Sequence, residues 1–187
     1  MKKLLLSTTL LGMTILNAAT TQEIKEEAKT AIVKLKSTLQ TELKANLKKG
    51  GIQQAAVFCS NRASDITHAV NISFAHDTKI RRISLKNRNS ANSPKSDERI
   101  VLEQMQKDID TGKKLKPLIL KQTFKDTYKV YKPIFINKGV CLKCHGNTQV
   151  RDAKAYKIIK ENYPHDKAIN YKMGELRGAF VVTIVKK

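Results

Sequence analysis

Tryptophan is absent from the 187 residues, and aromatic side chains make up only 5% of them. A core built this way lacks the side chains that usually contribute most to burial, and it would gain from a bulky apolar group packed within it. Glycine (8) and proline (4) are also sparse, which excludes collagen-like and low-complexity chains. With 41% hydrophobic and 28% charged residues the chain is expected to fold, and its length suits a single domain. Acidic residues are few as well: 16 Asp and Glu stand against 36 Lys and Arg, a net charge of +20. In a cytoplasmic protein that balance would point first to nucleic acid.

The N-terminus turns that expectation elsewhere. Lys2 and Lys3 form a basic start, Leu4 to Leu16 an apolar stretch, and Asn17-Ala18-Ala19 a small-residue exit, the order found in a secretory signal peptide. The stretch is shorter than a spanning helix needs, and no other segment approaches that length. Residues 1–19 are therefore read as a cleaved leader and residues 20–187 as the mature domain, with an uncleaved membrane anchor as the alternative. No cysteine stands at the cleavage point to carry a lipid. Losing Lys2 and Lys3 leaves +18 on a protein expected in the periplasm. Its natural partners are then an acidic redox protein or a signalling partner at an anionic membrane face, not nucleic acid.

Cysteine is scarce and its count of three is odd, so pairing cannot use all of it. Two cysteines stand in Cys141-Leu142-Lys143-Cys144-His145, the C-x-x-C-H pattern of covalent c-type haem attachment. Two thiols three positions apart reach the two vinyl groups of one porphyrin, and the adjacent His145 can then offer its imidazole to the iron. A thioredoxin-like redox pair or half a zinc site are the competing readings. Zinc needs two further ligands at suitable spacing, and no βαβ pattern precedes the motif.

Apolar residues from Ile24 through Leu47 recur at steps of three and four, which predicts a long helix over 22–49 ended by Gly50-Gly51. A second helix is expected over 52–68, with Cys59 on its apolar stripe. A strand follows at 79–85, then a polar loop, then a third helix with Ser93 as cap, Pro94 in its first position and Gly112 at its end. Two β-like runs, 116–123 and 128–136, are separated by Lys125-Asp126 and suggest a hairpin. The haem motif is expected in the following loop, a short helix over 152–162, and a strand apolar on both faces over 179–185. Helices followed by an antiparallel sheet give the α+β class.

These segments carry a family resemblance. Ala56-Val57-Phe58-Cys59-Ser60, Ile83 to Asn89 with Asn92 and Pro94, Tyr131-Lys132-Pro133-Ile134, the run Cys141 to Gly146, Tyr163-Pro164 with Asp166-Lys167-Ala168, and Gly174 to Ala179 resemble the Tll-type haem-binding, PAS-like domain of unknown function. That family occurs alone in c-type cytochromes and as the sensor part of some histidine kinases. Ser90 and Asp97 depart from its pattern, both in or near one loop. The resemblance implies a PAS-like antiparallel sheet with N-terminal and flanking helices, and one haem c between the sheet, the second helix and the attachment loop. It also implies Cys59 as the iron ligand opposite His145. On the residues alone, a lone inward thiol is more often inert packing. Arg62, three positions on, could favour its thiolate. Met173, Met105, His68, His76 and His165 are the competing ligands. Arg82, Arg88 and Arg177 lie in the resembling segments and have the planar fork that suits haem propionates, although solvated positions are as common for any one of them.

Three classes of function follow. Ligation by His and thiolate would suit a redox or diatomic-gas sensor, since reduction weakens an iron–thiolate bond. Against it, no transmitter-like segment stands in the sequence. A small, basic monohaem protein also suits low-potential electron transfer. A haem enzyme ranks lowest, because no distal His-Arg pair and no G-x-S-x-G, H-E-x-x-H or P-loop motif is present.

Overall fold

The computed structural model describes the backbone of residues 9–186 and the side chains of residues 21–186. Of the expected leader, residues 1–8 lie outside the described residues and residues 9–19 are described in their backbone alone. Among the described residues no helix is long and apolar enough to cross a membrane.

Chain order is α1 (Thr9–Ile72), β1 (Thr78–Ile83), a 3-10 turn (Ser90–Asn92), α2 (Ser96–Asp110), β2 (Ile119–Phe124), β3 (Thr127–Phe135), α3 (Gly139–His145), α4 (Ala153–Asn162) and β4 (Leu176–Val185). The two helices expected before residue 72 are the arms of α1. They meet at Gly50 and Gly51, the latter at φ 67°, ψ −157°, a conformation a side chain would strain. The helix therefore turns there without a loop.

The described strands form one antiparallel sheet in the order β1-β4-β3-β2. β2 and β3 make the expected hairpin, and β4 pairs on both sides, with β1 and with β3. Its central place explains its apolar character. Phe180, Val182 and Ile184 pack with Ile24, Ala28, Ala31, Ile32 and Leu35 of the first α1 arm. Ala179 and Val181 face the other way, onto Val101, Leu102 and Met105 of α2. Each Ile or Leu buried in these layers contributes about 1.5–3 kcal/mol. The result is an α+β sheet with helices on both faces.

Several boundaries shift by a few residues, the second α1 arm running to Ile72, β2 starting at Ile119 and β4 at Leu176, and two differences have a clear physical reason. α2 begins at Ser96, not at Ser93-Pro94, because the Glu98 carboxylate accepts the Lys95 backbone N–H at 2.8 Å and so fixes the first turn. The run before it is the 3-10 turn, in which Asn89 Oδ1 accepts the Ala91 N–H. The C-x-x-C-H segment is the helix α3, not a loop; its seven residues are too few for periodicity to reveal.

Candidate functional site

A cavity of about 330 Å³ opens between α1, the sheet and α3. Its walls come from both α1 arms, β1 and the segment after it, the end of β3, α3, α4 and the start of β4. The volume lies at the lower end of the range for small-molecule and cofactor sites. All seven residues singled out from sequence line it: Cys59, Arg82, Arg88, Cys141, Cys144, His145 and Arg177. They come from five separate segments.

The turn of α3 sets the geometry of its three groups. Cys141 and Cys144 are three positions apart on neighbouring faces, and His145 is four from Cys141. Cys141 packs near Ile136, Ala168 and Tyr171, whereas Cys144 packs near Ala56, Ala155 and Ile159. All three cysteines are free thiols. Burial pushes the Cys144 thiol up to about 11, against the pull of Arg88.

The His145 ring is fixed by its surroundings. Nδ1 lies 2.8 Å from the Ala168 carbonyl oxygen, so Nδ1 carries the hydrogen and donates, and Nε2 keeps its lone pair. Arg88 Nη2 lies 3.4 Å from the same Nδ1. That contact is not a hydrogen bond, because Nδ1 is already a donor. Tyr171 stands edge-on to the ring at 6.2 Å. Burial, then the charges of Arg177 and Arg88, hold the imidazole well below its ordinary pKa, so it is neutral. A neutral imidazole with one nitrogen bonded to a carbonyl is the arrangement of a metal-ligating histidine.

Cys59 reaches the cavity from α1. Burial pushes its thiol up, while Arg82 and Arg88 pull it back toward the thiolate. Arg62, the cation suggested by proximity in sequence, is on the solvent side and pairs with Asp65 at 3.1 Å. The competing ligands are elsewhere. Met105 is core, Met173 is half exposed beside a second cavity, and His68, His76 and His165 are exposed. None of them lines the site.

The three arginines have different commitments. Arg88 donates to Asp166 Oδ2 at 3.1 Å and to the Cys144 carbonyl at 2.7 Å, so it braces α3 and has less to offer a ligand. Arg177 donates to Ser84 Oγ at 2.7 Å and to the Lys86 carbonyl at 3.1 Å, beside the Tyr171 ring. Arg82 is half-buried, and its Nε is buried with no partner among the described residues; the same holds for Ser60 Oγ. Both atoms belong to residues of the cavity wall.

The donor set therefore fits a haem: two thiols and an accessible imidazole nitrogen on α3, a third thiol on α1, apolar walls, and the unpartnered Nε of Arg82, whose guanidinium suits a carboxylate. Among the described residues no three or more His, Cys, Asp or Glu side chains form a metal cage, so the zinc alternative lacks its further ligands. Sequence reasoning gave no role to Asp166 or Ala168, because their effect on His145 passes through a backbone carbonyl.

The crystal structure of the cyanobacterial heme-protein Tll0287 superposes with a TM-score of 0.63 at 26% identity, covering 88% of this chain and 96% of that one. No curated protein matches the sequence. The Tll0287-like family matches residues 17–185, and the chain belongs to that family.

Proposed function

We propose that this chain is a non-enzymatic haem protein carrying one haem c, attached through Cys141 and Cys144 and ligated by His145 and Cys59. The observation that carries this reading is the Nδ1 bond of His145 to Ala168, which leaves Nε2 free in a cavity that the three thiols also line. The neighbour's character as a heme-protein supports the same cofactor. When bound, the haem would supply a one-electron couple and, where a protein ligand can leave, a site for a diatomic gas. The chain's part is to orient the imidazole, to hold Cys59 between burial and two cations, and to exclude water with Leu39, Leu43 and Ile159. A thiolate ligand whose bond reduction would weaken favours redox or gas sensing, in the periplasm that the leader-like N-terminus suggests, with the basic surface facing an acidic or membrane-associated partner.

Low-potential electron transfer is the second reading. Phe135 and Val140 line the cavity yet are more than a third exposed, which gives an apolar rim where a redox partner could approach.

Covalent attachment is tested on protein matured in a host with c-type haem assembly. Acid-acetone extraction should leave the haem on the protein, and the intact mass should include one haem. Extractable haem or a haem-free mass would refute the assignment of Cys141 and Cys144.

A further inference from the structure

We propose that Asp166 is the positioning residue for His145, acting through the backbone of Ala168 and through Arg88; this rests on the reading of His145 as a ligand. The Asp166 side chain is completely buried, and both of its oxygens are used. Oδ1 accepts the Ala168 N–H at 2.8 Å, and Oδ2 accepts Arg88 Nε at 3.1 Å. Ala168 then turns its carbonyl to the Nδ1 of His145 at 2.8 Å, while Arg88 Nη2 donates to the carbonyl of Cys144 at 2.7 Å. One carboxylate thus holds the acceptor that sets the ring and the cation that steadies the chain next to it.

The segment has other ties to α3. The Tyr171 N–H donates to the His145 carbonyl at 2.9 Å, and the Asn170 N–H to the Gly146 carbonyl at 3.1 Å. These fix the backbone of His145 but not the rotation of its ring. Ring orientation and tautomer depend on the Ala168 oxygen, which Asp166 positions through the Ala168 N–H and through Arg88, whose Nη2 also lies 3.5 Å from that oxygen. A carbonyl held rigidly against Nδ1–H also raises the basicity of Nε2, which strengthens the imidazole as a ligand.

The test uses full-length, haem-loaded protein carrying Cys59→Ala, so that His145 is the protein ligand in the ferrous state. Its iron–imidazole stretching band in resonance Raman reports the Nδ1 hydrogen bond. Asp166→Ala should shift the band to lower frequency, whereas Asp166→Asn, which keeps an oxygen toward the Ala168 N–H, should leave it near the parent position. A merely structural Asp166 would lower the unfolding midpoint and leave the band in place, and that result overturns the proposal. Nitrogen-15 spectra of the full-length chain expressed without haem, with and without Asp166→Ala, give a second measurement. An Nδ1–H tautomer of His145 that is lost or mixed in Asp166→Ala supports the proposal, and a tautomer unchanged by that substitution overturns it. A chain that never retains haem would overturn the proposed function alone, because the tautomer still decides the role of Asp166.

Discussion

Arg88 Nη2 donates to the carbonyl oxygen of Cys144 at 2.7 Å, joining the segment after β1 to a turn more than fifty residues away in sequence. The same guanidinium pairs with the fully buried Asp166 carboxylate, so one side chain ties three segments around α3. Breaking a buried pair by removing one partner leaves an uncompensated charge and costs about 3–5 kcal/mol. Arg88→Ala should therefore destabilise the haem-loaded protein by about 3 kcal/mol in denaturant unfolding. Arg62→Ala, which removes only the exposed pair with Asp65, should change stability by less than about 1 kcal/mol. Equal effects of the two substitutions would contradict this account.

Cys59→Ala separates ligation from packing. The thioethers do not depend on Cys59, so the haem should stay attached. Loss of an electron-rich ligand should raise the reduction potential and open the ferric iron to added ligands such as cyanide. Potentiometry and the ferric absorption spectrum decide the matter. If both are unchanged, the thiol is packing only and the sensing mechanism loses its basis.

Much of this site was legible because its signals are local. The C-x-x-C-H spacing, the hairpin around Lys125-Asp126 and the two-faced apolar run of β4 are all contained within a few residues. What stayed hidden was assembled by the fold. Arg62 lies one turn from Cys59 in sequence, yet the cations that act on the thiol are Arg82 and Arg88, which β1 and its following segment deliver across the cavity. Ser93-Pro94 resembles a helix start, yet α2 begins at Ser96, because Glu98 is held by Arg81 and Lys129 as well as by the Lys95 backbone. Asp166 had no visible role for a similar reason: no pattern of side chains encodes a bond made through the carbonyl of Ala168.

Acid should weaken the junction between α2 and the sheet. Burial raises the Asp97 carboxyl, but the hydrogen bond and charge of Lys129 outweigh it and hold the group below its usual value. A carboxylate depressed in the folded state stabilises the protein above its unfolded pKa, and that contribution disappears as pH falls through the folded pKa. Asp97→Asn should therefore cost stability near pH 7, and the difference from the unsubstituted protein should shrink below about pH 4. Unfolding midpoints measured across that range provide the check, and a difference independent of pH would mean that Asp97 acts through packing.

Arg82 gives the sharpest contrast between the haem-free and haem-loaded protein. Its Nε is buried without a partner among the described residues, and burial, partly opposed by Cys59 and Tyr163, lowers its pKa. A buried guanidinium nitrogen without a partner destabilises the chain that carries it. A haem propionate within reach would reverse the sign, because a charge-assisted bond contributes about 1.5–3 kcal/mol. Arg82→Met keeps an apolar stem of similar reach and removes the charge. In the haem-free chain this substitution should leave stability unchanged or higher. In the haem-loaded protein it should lower stability by about 2 kcal/mol and, through loss of a positive charge beside the propionate, lower the reduction potential. Arg88→Ala should instead destabilise both forms, since its partners Asp166 and Cys144 belong to the protein. If Arg82→Met costs the same stability with and without haem, Arg82 does not meet a propionate, and Arg177 becomes the arginine to test.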